Sequence, residues 1–432
     1  MFRLRAVLAA LLLGAPLAVN AAEVTRIASS FDEDDPFDLI LDVRFHRTQT
    51  HTKIVREQFA DQIIDPDAPD RPLPTGLIER AEVWHKGADT RLDINLAIGL
   101  YKDFEFSFGL PIILQQNDAY QYVLGVDDKN SSIARNELNP NGTLRAEGEL
   151  NLFSSIPSTH KRGGLGNMRF GMAYAFFNQE RDETKPMWLV GIDYEAPTAA
   201  VRDPSDFNTE ATGTRGNVGD RVHKYTLYTA FSRRMGVADP YFRVHYTIPV
   251  QGPGIYSNCF QRDNTPVTLS RPENCFQGKW SRKETGIQAP TVAGFVTGAE
   301  FTAFSDKAKS QRFALDLRLL GTYVGAGRYY NELSAALGKL LATQEYFQVG
   351  GQVGATASAG EAFTLRASGM FLYNTDHTLT NEALGVRPDQ IGNAPSSDIN
   401  PNFDFRTDLV SRRFRAEGST MFRLELSAAF AF

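Results

Sequence analysis

RLDINLAIGLYKDFEFSFGLPII, residues 91–113, decides the fold. Leu92, Ile94, Leu96, Ile98 and Leu100 alternate with Asp93, Asn95, Ala97 and Gly99. After a turn of about three residues, Phe104, Phe106, Phe108, Leu110 and Ile112 take up the same period. Neighbouring side chains of a strand point to opposite faces, so this is a hairpin with one apolar and one polar face.

The period recurs outward in both directions. Phe37 to Phe45, Met168 to Phe176, Trp188 to Tyr194, Tyr225 to Phe231 and Phe242 to Ile248 all carry it. So do Phe295 to Phe301, Phe313 to Leu319, Phe347 to Val353, Phe363 to Tyr373 and Phe422 to Phe432. About twelve strands result (range ten to fourteen), each of about 10 residues, the length of a tilted membrane-crossing strand. The connections alternate in length. Long ones are expected near 46–78, 114–163, 198–221, 251–290, 325–344 and 375–419, and short ones near 101–103, 178–186, 234–239, 305–311 and 358–361. A soluble sandwich needs no such alternation. A strand protein in lipid must pair every backbone group internally and so must close on itself. The fold expected over residues 37–432 is all-β: a transmembrane antiparallel β-barrel with short periplasmic turns and long extracellular loops.

Composition agrees. Thirty Phe, fifteen Tyr and thirty-five Gly against two Cys and seven Met is a strand-rich bias. A net charge of −6 argues against a nucleic-acid binder, and no run of about 20 apolar residues supports a helical membrane protein. Residues 1–21 read as a signal peptide. Arg3 and Arg5 precede the apolar run Ala6–Leu13, and the small residues Val19 and Ala21 suit cleavage before Ala22. The expected location is the outer membrane, with outer-membrane lipid and the barrel-assembly machinery as partners. Phe430 and Phe432 end the last strand in the manner of an assembly signal.

GLYKDFEFSFGLPII (99–113) and GGLGNMRFGMAYAFF (163–177) resemble the Gly–Leu–turn–strand hairpins of Gram-negative outer-membrane transporters. They are most similar to the barrels named for aromatic (phenol) degradation pathways, and more distantly to porin-like and fatty-acid-uptake barrels. The resemblance implies a transporter-like barrel and assigns no functional residue.

Residues opposite the apolar face are expected to face the lumen. The acids are Asp42, Asp93, Glu105, Asp193, Glu195, Glu300, Asp316 and Glu425. The bases are Arg44, Arg169, Lys224, Arg243, Arg318, Arg366 and Arg423. Either they line separate walls of a small pore or they pair across the lumen and close it. The near balance of the two signs favours pairing. Cys259 and Cys275, the only cysteines, fall in one long loop of an exported chain and are expected to form a disulfide. Its entropic effect would be on the order of 3 kcal/mol. ELSAALGKLLA (332–342) carries Leu333, Leu337, Leu340 and Leu341 at helical spacing, so a short helix is expected to cap the mouth or fold inward.

Asp32, Glu33, Asp34 and Asp35 make residues 22–36 an acidic periplasmic segment, a solvated terminus or a docking site for a basic envelope partner. His46 and His51 are expected in the first outer loop, without metal-ligand spacing. No His sits beside a Ser in a nucleophile context, so neither catalysis nor a cofactor is expected. Two functions remain: a channel or transporter for small solutes, or a non-conducting barrel in an envelope complex for surface-polymer export, adhesion or motility.

Overall fold

The computed structural model describes residues 22–30, 38–59, 62–65, 68–74, 76–133, 152, 156–205, 215–259, 275, 280–360, 362–385 and 400–432. The expected signal peptide and Asp32–Asp35 lie outside them.

Twelve strands form one closed antiparallel barrel. They are β1 Leu39–Phe59, β2 Leu77–Tyr101, β3 Phe104–Tyr122, β4 Arg169–Phe177, β5 Met187–Glu195 and β6 Val222–Ser232. Then come β7 Ala238–Gln251, β8 Val292–Asp306, β9 Gln311–Val324, β10 Tyr346–Ala359, β11 Phe363–Asn374 and β12 Phe414–Ala431. Each pairs with the next, and β12 closes on β1 from Ile40↔Ala431 to Arg56↔Phe414. No helix among the described residues is long and apolar enough to cross a membrane; the strands do the crossing.

The expected outward residues form an exposed apolar wall that includes Phe45, Met172, Leu227, Phe242, Phe295, Leu317, Phe371 and Leu424. Trp188 stacks on Phe231 at 5.4 Å and meets Phe176 at 4.9 Å. Such a belt is unfavourable in water and suits a bilayer. The short-turn end of the barrel is the periplasmic end. There the turns are tight: Lys102 and Ser310 adopt left-handed backbone, and Gly360 does so at φ 72°.

Strand lengths depart from the expectation. β4 and β5 have nine residues each, but β1 has 21, β2 has 25, β3 has 19 and β12 has 18. About 10 residues cross a membrane. The surplus stands above it as a tall wall made from residues expected in the loops 46–78, 114–163 and 375–419. The alternation that marks the lower halves reports lipid on one face. Above the membrane the outer face no longer meets lipid, so RTQTHTK (47–53) keeps pairing while losing the apolar period. His46 and His51 therefore sit on β1, not in a loop. His51 stacks on Trp84 at 4.4 Å.

Candidate functional site

The interior holds two inserted pieces of chain, one at each end. At the periplasmic end, residues 22–30 (AEVTRIASS) cross the opening as a strap. Ser30 N donates to Lys102 O at the β2–β3 turn (2.9 Å), and Ser29 Oγ donates to Asp103 (3.0 Å). Ala28 N donates to Glu105 Oε2 (2.7 Å). Beyond a single 3-10 turn at Glu23–Thr25, Thr25 Oγ1 bonds Ser232 Oγ (2.7 Å) and Ala22 N donates to Asp239 Oδ2 (2.9 Å). Val24 and Ile27 pack on Ala173, Ala175, Met187, Leu189 and Ala230 of the β4–β6 wall. Ala22, Thr25 and Ala28 have no exposed surface. Small side chains let the strap lie this close to the wall.

Glu23 alone reaches the opposite wall. Its carboxylate bonds Arg318 of β9 and Arg366 of β11, and lies 3.8 Å from Arg44 of β1. A cavity of about 390 Å³ remains beside the strap, lined by Glu23, Arg44, Glu105, Arg243, Arg312 and Arg366 among others.

The interior charges do not close the lumen by pairing across it. They pair along the wall. Arg44 bonds Asp42 (2.7 Å) and approaches Glu425 (3.5 Å) on the adjoining β12. Arg318 bonds Asp316 two residues away, and Arg312 bonds Glu300 on the next strand. Lys224 bonds Glu195 (2.9 Å) and Asp220 (2.8 Å). Arg243 sits 3.8 Å from Asp193 and stacks over Tyr228. Asp93 lies 3.9 Å from both His46 and Arg169. Arg366 Nε donates to Thr356 (3.1 Å), and Arg423 Nε to Thr48 (3.0 Å). Among these pairs, only those made by Glu23 span the opening.

The chain inserted at the mouth is held differently. The connection after β9 carries one helical turn, Ser334–Leu337, ended by Gly338 in left-handed backbone. The leucine pattern was legible, but the helix is shorter than its spacing suggests, because 341–343 leave it to pair with 327–329. Leu333, Leu337 and Leu341 are buried against Ile54, Val83, Tyr120 and Phe414, which line the inner face of the tall wall. Tyr120 Oη donates to Glu332 O (2.7 Å). Beneath, Asp118 accepts from Arg162 (2.9 Å) and Arg202 (3.2 Å) and contacts His85 (3.2 Å).

Over this apolar cap lies a buried ionic knot. Asp404 bonds Lys339 (2.5 Å) and Arg406 (2.7 Å). Burial alone would raise the Asp404 carboxyl, but Arg406 and Lys339 outweigh it and hold the group well below the usual carboxylate range. Burial pushes neighbouring Asp408 up to about 7, with Lys339 opposing and the charge of Asp404 adding.

Cys259 and Cys275 are joined, as expected, with Cα atoms 4.9 Å apart. Asn258 beside them exchanges hydrogen bonds with Leu340 (2.8 and 3.0 Å), fastening that loop to the cap. Phe430 meets Phe363 at 5.2 Å, and Phe432 N donates to Leu39 O (2.9 Å) at the closing seam. Among the described residues, no three His, Cys, Asp or Glu side chains gather as a metal site.

Glu23, Asp239, Lys339 and Asp404 were not singled out from sequence. Lys339 carried a signal, a lone cation inside the leucine run ALGKLLA (336–342). Glu23 carried none, since it borders the expected leader and precedes a more acidic stretch.

No family profile matches the chain, and no curated protein matches it. Solved barrels share its outline at low identity. An outer membrane channel from Pseudomonas putida F1 is 10% identical over 90% of this chain and 95% of that one, with a TM-score of 0.40. A FadL homologue from Pseudomonas aeruginosa is 9% identical over 96% and 93%, at 0.38. The outer membrane protease OmpT from Escherichia coli is 7% identical over 91% and 97%, at 0.29. These are likenesses of outline, and no residue role is taken from them.

Proposed function

We propose that this barrel is an outer-membrane channel for small solutes, closed at rest and opened when the strap leaves the periplasmic end. The observation that carries the reading is the strap itself. Its hold on the far wall is one carboxylate, Glu23, on the arginines of three strands, next to an existing cavity of about 390 Å³. Wall charges already satisfied by their neighbours can line a wet lumen without collapsing on one another. A path sealed by side chains would need a rearranged barrel to open, whereas a path sealed by a strap needs only the strap to move.

The test is conductance of the purified, refolded barrel in a planar bilayer, as the native sequence and as Glu23→Gln. Rare or brief openings that become frequent in the variant support a strap-gated channel. A folded barrel silent in both forms contradicts it and moves the search to an envelope-complex role.

A further inference from the structure

The described part of the strap begins at Ala22, and a polar site surrounds its nitrogen. Ala22 has no exposed surface, and its nitrogen lies 2.9 Å from Asp239 Oδ2. Asp239 is itself only 3% exposed. Its second oxygen, Oδ1, is buried with no hydrogen-bond donor among the described residues. Its ion pair with Arg234 spans 3.9 Å, too long for a hydrogen bond. A buried carboxylate with an empty acceptor is expensive beside a neutral amide, which offers one hydrogen. It suits an ammonium, which offers three hydrogens and a charge.

We propose that Ala22 is a processing site whose new α-ammonium is the strap's lock: removal of the leader creates the cation that Asp239 is built to hold. The step is hydrolysis of the Ala21–Ala22 amide. One water is consumed, the C–N bond breaks, Ala21 keeps a carboxylate and the Ala22 amine takes up a proton. An envelope leader peptidase supplies the catalysis. Thr25 steadies the end by donating its hydroxyl to Ala22 O (3.1 Å). The strap is thus held at two points of opposite sign, the ammonium on Asp239 and the Glu23 carboxylate on the arginines. An unprocessed chain, or one extended or acylated at Ala22, keeps only the single amide hydrogen bond at the first point and lacks its charge.

The inference deepens the strap's part in the channel reading, yet its test does not require the barrel to conduct. The full barrel is purified from the envelope, its first residue read by mass spectrometry, and the folded protein exposed to acetic anhydride. The α-amine is followed against exposed lysines. The mature chain should begin at Ala22, and its amine should label slowly. Asp239→Asn should speed that labelling by ~10-fold or more, the scale of a lost charge-assisted hydrogen bond. If Asp239→Asn does not fold, Glu23→Gln is read by the same criterion, because it frees the strap with Asp239 intact. A different first residue, or an amine that labels as fast in the native barrel as in the variant, overturns the proposal. Slow, variant-sensitive labelling in a barrel that never conducts would sustain the lock while removing the channel reading.

Discussion

Chain is inserted at both ends of this lumen, but it is not held by the same kind of bond. The cap is a small hydrophobic core. Leu333, Leu337 and Leu341 face Ile54, Val83 and Phe414, a buried Lys339–Asp404–Arg406 knot lies over them, and the disulfide loop is fastened to Leu340. The strap is nine residues, with two apolar side chains, Val24 and Ile27, on the wall and a few polar holds. Apolar packing and buried ion pairs must be broken together, at high cost. Polar holds beside a cavity can be exchanged for water one at a time. On the proposed reading the cap is architecture and the strap is the closure.

The comparison can be broken from either side. The largest effect belongs to the knot. Lys339→Met removes one of the two cations on a buried carboxylate, and loss of such a partner costs about 3–5 kcal/mol. It should appear as faster hydrogen exchange over 331–343, with the barrel strands protected as before. Leu337→Ala should cost about 2–5 kcal/mol by the same readout, as a cavity in a packed core. Conductance that rises more in these variants than in strap variants would reverse the assignment of roles.

Glu23→Gln comes next. A hydrogen bond to a charged group is worth about 1.5–3 kcal/mol, so the strap should detach ~10-fold more often or better while the cap's exchange stays as it was.

The smallest effect is a pH dependence confined to the cap. Asp408, raised to about 7 by burial, holds its proton in the folded cap where the unfolded chain has lost it. The cap should thus gain stability as pH falls from 8 through 7 toward the ordinary carboxyl range, and lose it as pH rises through 7. The slope is at most about 1.4 kcal/mol per pH unit. Hydrogen exchange over 331–343 at several pH values checks the sign, and an opposite slope would separate Asp408 from the cap's stability.

Legibility in the sequence followed the solvent. Where a strand has lipid outside and polar surroundings inside, as from Leu92 to Leu100, the alternation gave the strand, its face and its partner. Where the outer face leaves lipid, as in β1 beyond His46, the alternation fades although the pairing goes on, and the sequence alone reads the tall wall as loop. The Cys259–Cys275 bond was legible because the chain holds only two cysteines. The leucine spacing located the cap but overstated its helix, since period alone does not show that Gly338 turns the chain away. The strap was invisible for a different reason. AEVTRIASS has no period, and its meaning lies in Asp239, Arg318 and Arg366, more than 200 residues away.

The most direct test of the central claim is single-channel recording of the mature barrel beside Glu23→Gln/Asp239→Asn, with hydrogen exchange confirming an intact cap in both. The strap account requires a native barrel that is mostly shut and a double variant that is mostly open, at one shared unit conductance. Equal open fractions in the two proteins, with strap residues 22–30 demonstrably released in the variant, would contradict it.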